Sequence, residues 1–349
     1  VTLEYPAQGA SETFSLLVPK DPDEYDPISD LLRTVAVIVG HYLTTEQKEL
    51  FGSLDSLEVG SAAGNLLNRV HSILRSFTKA RNRRDGPLFV RTVERFNAAL
   101  RLLKESDKIK ETVSSWAQRG ISEAVWRWIQ EQCYARTVGP KVEDLAKYEA
   151  FSDNVYGELL PRFMSEIAQL TSLGPNSVFV DLGSGVGNLV MQVALQTGAH
   201  AVGCEQMVSP SHLAKLQLEE ARARWKVWGV KGGEMDAWQG DFGEDERIRG
   251  KLREADVVLV NNYAFTARTN DKLSLLFLDL KDGAQVVSLK PFVPPDFRLT
   301  ERTLSSPLAI LRVAQRAYST NCVSWAESGG NYYIHTVDRT LVARFLEKR

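Results

Sequence analysis

The 349-residue chain has only three cysteines, Cys133, Cys204 and Cys322. They lie too far apart for a disulfide framework or a cysteine-rich zinc site. The five histidines show no ligand spacing; His200 and His212 are twelve residues apart and no His-x-x-x-His occurs, so no metal is expected. No apolar run is long enough to span a bilayer: the longest, around Val35–Val39, is interrupted by Arg33, Gly40 and His41. The opening residues, VTLEYPAQGA, hold no basic-then-apolar leader, and a start at Val rather than Met reads as part of a longer chain. There is no internal repeat, no low-complexity segment and almost no net charge (−2), so nothing global marks a nucleic-acid binder. These absences point to a reduced intracellular protein without membrane or metal. What is present is ordinary in amount: 44% apolar and 25% charged residues, enough for a sizeable core without staples. At roughly 150 residues per domain the length suggests about two domains.

The small net charge hides an uneven distribution. Residues 1–68 carry 3 basic and 11 acidic side chains, and residues 69–110 carry 12 basic and 4 acidic ones. The basic run is densest at Arg75, Lys79, Arg81, Arg83, Arg84 and Arg91. Between Lys79 and Asp85 the only apolar residue is Ala80, which predicts a solvated loop; a phosphate-contacting patch is the functional alternative. Prolines 19, 22 and 27 among acidic residues predict an extended lead-in. Val90, Val93, Phe96, Leu100 and Leu103 recur at helical spacing, as do Ile121, Ala124, Val125, Trp128 and Ile129 ahead of the Gly139-Pro140 break. Residues 1–140 therefore read as a mainly helical N-terminal domain.

From residue 176 strands and helices alternate. Ser177–Val180, Ala199–Cys204, Asp256–Val260 and Ala284–Leu289 are buried-strand candidates. Asn188–Gln196 reads as a helix, and Ser209-Pro210 as the N-cap and first position of another ending near Trp228. Such alternation implies a parallel sheet with ligands beyond the carboxyl ends of its strands. The strongest local signal is Asp181-Leu182-Gly183-Ser184-Gly185-Val186-Gly187-Asn188 between a strand and a helix. A dinucleotide fingerprint needs glycine where Asn188 stands. The observed pattern suits S-adenosyl-L-methionine instead, with Asp181 addressing the cationic methionine moiety. Later strand ends agree. Glu205, 24 residues on, can accept both ribose hydroxyls. Asp241 can accept from the adenine amino group while Phe242 packs on its face. Asn261-Asn262-Tyr263-Ala264-Phe265 follows the fourth strand, where catalytic groups sit in this architecture.

Residues 148–335 resemble the catalytic core of the disruptor-of-telomeric-silencing histone methyltransferases, which lack a SET domain. The resemblance rests on Tyr148–Ser152, Val155-Tyr156-Gly157-Glu158, Asp181–Gly187, Val260-Asn261-Asn262 and Ser288-Leu289-Lys290. It closes with Val323-Ser324-Trp325 and Tyr332–Thr336. It implies an α/β fold of the class I S-adenosylmethionine-dependent methyltransferase type: Rossmann-like, with a mostly parallel seven-stranded sheet over 161–349. A linker and cofactor-closing loop would occupy 141–160. The activity implied is methyl transfer to lysine seventy-nine of histone H3 on the nucleosome, in the nucleus, in chromatin regulation and telomeric silencing. Ubiquitinated H2B and the H4 tail are possible partners on that reading, and DNA phosphates are partners of the basic segment near 75–91. Tyr156 and Glu158 match the closing loop. Asp181, Gly183, Gly185, Asn188, Glu205, Asp241, Phe242 and Asn261 match the cofactor shell. Phe265, Trp325 and Tyr332 match the lysine-channel walls, with Tyr263 nearby and Asn261 at the reacting end. Asn188 and Leu159-Leu160 stand where animal members carry Gln and Thr-Ser, which places the resemblance with the fungal type.

Methyl transfer to nitrogen needs a neutral amine, yet with a pKa near 10.4 only about one lysine in 2,500 is neutral at pH 7. No general base is evident in the matched blocks; His335 reads as a packed strand residue. A channel that desolvates the amine beside a positive charge would do the same work, and aromatic walls suit it. On β-strand alternation only one of Tyr332 and Tyr333 can face it, and the resemblance favours Tyr332. Three other readings compete: a nucleic-acid amino methyltransferase, since Asn262-x-x-Phe265 is a faint echo of a base-holding element; an inactive chromatin adaptor; and a small-molecule methyltransferase.

Overall fold

Four-residue runs such as Val257–Val260, buried at every position, can only be interior strands of a sheet covered on both faces. The computed structural model describes residues 1–21, 24–57, 72–145 and 157–347 and places these runs in one sheet. In chain order the strands are β1 (Thr2–Glu4), β2 (Ser11–Thr13), β3 (Val178–Leu182), β4 (His200–Glu205), β5 (Met235–Gln239), β6 (Val257–Val260), β7 (Gln285–Ser288), β8 (Leu311–Tyr318) and β9 (Gly330–Val337). β1 and β2 form a small antiparallel pair. The other seven are ordered β5-β4-β3-β6-β7-β9-β8. β3 to β7 run parallel, whereas β9 is antiparallel to both β7 and β8. This is a Rossmann-like sheet. The chain winds outward from β3 through β4 to β5, then returns to β6 on its other side, which opens a crevice at the ends of β3, β4 and β6.

Two sets of residues form separate compact units: 1–135 with 221–231, and 136–220 with 232–349. The helix Val208–Trp228 contributes to both.

In the first unit, Pro27–Tyr42 begins at Asp26, whose side chain accepts from the Ile28 and Ser29 N–H groups. Gly86–Glu105 buries Phe89, Val93, Phe96, Leu100 and Leu103, the stripe expected from spacing. Charge is also buried here. Lys104 Nζ donates to Glu4 Oε2 at 2.7 Å and to the Tyr5 and Ala7 carbonyls at 3.1 Å each. Arg224 holds both oxygens of Glu12, which also accepts from Tyr5; Gln132 accepts from the Trp228 indole N–H at 2.9 Å.

The basic run differs from expectation. Ile73–Arg83 is a helix, burying Ile73, Leu74, Phe77 and Ala80, and only Arg84 and Asp85 separate it from the next. Arg84 sits in the left-handed region (φ 51°) and Asp85 caps the following helix through Leu88 N–H. Phe77 and Ala80 suffice to seat one face, leaving Arg75, Lys79, Arg83, Arg84 and Arg91 exposed on the other.

In the second unit, Pro161–Leu170 packs Phe163, Met164, Ile167 and Ala168 inward. The helix read as starting at Ser209-Pro210 begins earlier, at Val208. A proline in the first turn is tolerated because those N–H groups have no intrahelical acceptor. Among the described residues no helix is long and apolar enough to cross a membrane, and no three His, Cys, Asp or Glu side chains are grouped for a metal ion.

Candidate functional site

The crevice beyond β3, β4 and β6 is lined by glycine-loop backbone, three polar strand-end side chains and an apolar end. The loop turns sharply because Gly183 and Gly187 adopt φ of 90° and 81°. A Cβ at Gly187 would stand 3.3 Å from that of Ala214, a tight contact added to a left-handed backbone that other residues rarely adopt, so glycine suits this approach to the helix Val208–Trp228. The Gly183 and Ser184 N–H groups donate to the Cys204 carbonyl, fixing the loop against the end of β4.

Asp181, in β3, is 4% exposed. Burial, with Glu205 adding to it, pushes its pKa up to about 7. Glu205 ends β4, where its two carboxylate oxygens accept from Gly185 N–H (3.0 Å) and Met207 N–H (2.8 Å). Burial raises its pKa against those backbone donors. A carboxylate has about four acceptor positions, and with Gln206 N–H as a third backbone donor Glu205 keeps capacity for one more. Asn261, just past β6, donates from Nδ2 to the Gly157 carbonyl at 2.9 Å, while its Oδ1 is buried without a donor. Ser184 Oγ is likewise buried and unpartnered. Phe242 and Phe265, ring centroids 6.3 Å apart, close the apolar end with Val186, Leu189 and Leu259.

The remaining wall comes from distant sequence. Leu159 bridges Val323; Leu160 N–H donates to Cys322 O, and Ser324 N–H to Glu158 O. Glu158 Oε1 accepts from Asn188 Nδ2 at 2.9 Å, and Asn188 Oδ1 accepts from Gln217 Nε2 at 2.8 Å.

Of the residues singled out from sequence, Glu158, Asp181, Gly183, Gly185, Asn188, Glu205, Phe242, Asn261 and Phe265 line this cleft together. Tyr156 lies outside the described residues. Asp241 is not on the wall: its Oδ1 accepts from Gly243 N–H at 2.8 Å and its Oδ2 lies 3.9 Å from Lys272 Nζ. Trp325 stands just outside, against Gly157 and 5.3 Å from Tyr263. Tyr332 differs most from expectation. It is fully buried, edge-on to Phe163 at 5.0 Å, and its hydroxyl donates to Glu166 at 3.0 Å. The strand's alternation turns Tyr333, which is half-buried, to the other face. The sequence offered no signal for Met207 and Pro210, which also line the cleft and whose side chains have no distinctive chemistry.

The donor set suits one kind of ligand. Two buried carboxylates and an orphan amide oxygen favour a cation, Glu205 can accept from a further hydroxyl, and the apolar end at Phe242 accepts a flat heterocycle.

The family described as "Histone methylation protein DOT1" matches residues 134–337. Over 99% of this chain, the "Histone-lysine N-methyltransferase, H3 lysine-79 specific" of Mycosarcoma maydis is 47% identical, and those of Cryptococcus neoformans and Emericella nidulans are 36% and 38% identical. The chain spans 60%, 63% and 66% of the length of these three relatives. Among solved structures, an RNA methyltransferase from Salinibacter ruber in complex with S-Adenosyl-L-homocysteine aligns at a TM-score of 0.36 and 22% identity, over 52% of this chain and 94% of its own.

Proposed function

Because this chain belongs to the DOT1 histone methylation family, we propose that it transfers methyl from S-adenosyl-L-methionine to lysine 79 of histone H3 in the nucleosome, in the nucleus. The observation that carries this reading is the cleft's unfinished polar set: Asp181, Glu205 and the donor-less Asn261 Oδ1 converge where a sulfonium nucleoside would supply the missing charge and donors. When bound, that cofactor provides an electrophilic methyl group.

The chain's own residues supply the rest. Asp181 and Asn261 hold the cationic amino-acid end, Glu205 the ribose, and Phe242 the heterocycle. Gly183 and Gly185 let the backbone approach, and the Asn188–Glu158 hydrogen bond secures the wall in front of it. Trp325, Tyr263 and Phe265 border the path of the amine. Their rings exclude water and favour a methylated ammonium by cation–π attraction. Proximity and orientation then supply much of the acceleration. The exposed arginines of the helix Ile73–Arg83 and of Arg84 form the surface that meets DNA phosphates. Neutralising Arg81, Arg83 and Arg84 is expected to weaken nucleosome binding and lower its salt slope by about two to three.

The test is transfer of labelled methyl to intact nucleosomes, free histone H3 and naked DNA in parallel. Label on nucleosomal H3, lost when lysine 79 is replaced by arginine, is the expected result. Label on DNA would establish a nucleic-acid methyltransferase instead, and cofactor binding without transfer an adaptor.

A further inference from the structure

Lys290 closes the Ser288-Leu289-Lys290 block and has no task in the reading above. Its backbone is nevertheless fixed by buried side chains. Asn262, with no exposure, accepts at Oδ1 from the N–H groups of Leu289 (3.1 Å) and Lys290 (2.8 Å) and donates from Nδ2 to the Lys290 carbonyl (3.1 Å). Ser288 Oγ donates to the same carbonyl at 2.8 Å. Two residues on, Phe292 N–H donates to His335 Nε2 at 3.1 Å; burial pushes His335 down to about 4, so it stays a neutral acceptor at physiological pH.

From this clamp the exposed side chain of Lys290 places Nζ 5.5 Å from the centroid of Tyr263. The Tyr263 ring lies 5.3 Å from that of Trp325. Trp325 lies so close to Gly157 that a Cβ there would stand 2.7 Å from its Cε3, and the Gly157 carbonyl accepts from Asn261. The ammonium is therefore the outer end of a contiguous series that begins in the cleft. The neighbouring titratable groups are the phenols of Tyr263, Tyr318 and Tyr333 and the neutral His335. The helix bearing Asn270, which accepts from Asn262, also carries Arg268, Asp271 and Lys272, and Glu327 follows Trp325. Among the described residues no carboxylate lies within ion-pair distance of Lys290, and Lys272 is engaged with Asp241.

We propose that Lys290 is a positioned cation that keeps the incoming substrate amine neutral at the mouth bordered by Tyr263 and Trp325. The proposal rests on the function inferred above, specifically on an amine passing that aromatic pair. Where the amine gives its proton to water, a fixed neighbouring cation disfavours the protonated form. At a separation on the order of 8–10 Å with strong solvent screening, the effect amounts to about half a pH unit.

The test follows kcat against pH with saturating nucleosomes and S-adenosyl-L-methionine for the whole chain and its Lys290→Met, Lys290→Arg and Lys290→Glu variants. The acid limb of kcat reports the amine within the complex. It should move up by about half a pH unit in Lys290→Met, further in Lys290→Glu, and return in Lys290→Arg, with a common plateau. Below the limb, Lys290→Met then loses about threefold, and on the plateau nothing. A second readout needs no turnover: the methyl resonance of a ¹³C-monomethyl-lysine at position 79, titrated in the complex, should shift its midpoint in step. A uniform loss at every pH would make Lys290 a docking contact, and coincident midpoints would leave it no influence on the amine; either overturns the proposal. Absence of transfer by the unaltered chain would instead sink the function reading itself.

Discussion

Two clusters of buried charge in this chain are finished differently. Around Lys104 every donor has an acceptor: the ammonium, its side chain 4% exposed, is used up by Glu4 and the carbonyls of Tyr5 and Ala7. In the cleft, two buried carboxylates adjoin an amide oxygen and a hydroxyl that have no donor, and no cation pairs with Asp181 among the described residues. Burying polar groups costs similar amounts in both places. The first cluster recovers that cost within the chain; the second leaves it for a ligand to recover. Of these two clusters, then, one is satisfied by the chain itself and the other is not.

The strongest way to break the contrast is to unfinish the complete cluster. Lys104→Met should lower the unfolding free energy by about 2–4 kcal/mol, read from urea denaturation, because two carbonyls lose their donor and Glu4 keeps only Arg101. A loss under 1 kcal/mol would show that this cluster is no more self-sufficient than the cleft. The next test finishes the incomplete one by titration. A carboxyl raised to about 7 in the fold favours the folded state fully below its unfolded value near 4, and that contribution disappears as pH rises through 7. The ligand-free protein should therefore lose stability from pH 4 to 7 relative to Asp181→Asn, by roughly 2–4 kcal/mol. Parallel pH profiles would mean that Asp181 titrates normally. The same Asp181→Asn change should weaken S-adenosyl-L-methionine binding about 10- to 100-fold by calorimetry, making it a variant more stable at pH 8 and poorer at binding. The smallest effect is expected at Tyr332→Phe: removal of the hydroxyl donated to Glu166 should cost about 1 kcal/mol of stability, checked by thermal unfolding.

The strand, glycine loop and helix around Asp181–Asn188 were legible in sequence because a turn with positive φ leaves its glycines within a few residues of one another. Glu205, Phe242 and Asn261 were legible because a parallel sheet delivers strand ends to one rim. Tyr332 was not. Which of two adjacent tyrosines faces inward depends on how β9 registers against β7 and β8, where Tyr333 lies opposite Ser288 and Gln315, and one residue of slip exchanges them. The helix through Lys79–Arg83 was missed for a different reason: Phe77 and Ala80 are a narrow seam, and the charges around them mimic a loop. Lys290 was visible as a letter, but its placement depends on Asn262, 28 residues earlier in the chain.

The short ladder that joins residues 158–160 to 322–324 bears on how the cleft comes into being. Its partners are separated by more than 160 positions, so closing that loop is entropically slow compared with forming β3 and the glycine turn. A partly folded chain can thus possess the glycine-loop rim while lacking the wall in front of it. Full cofactor retention would then be among the last properties gained in folding and among the first lost under mild denaturant.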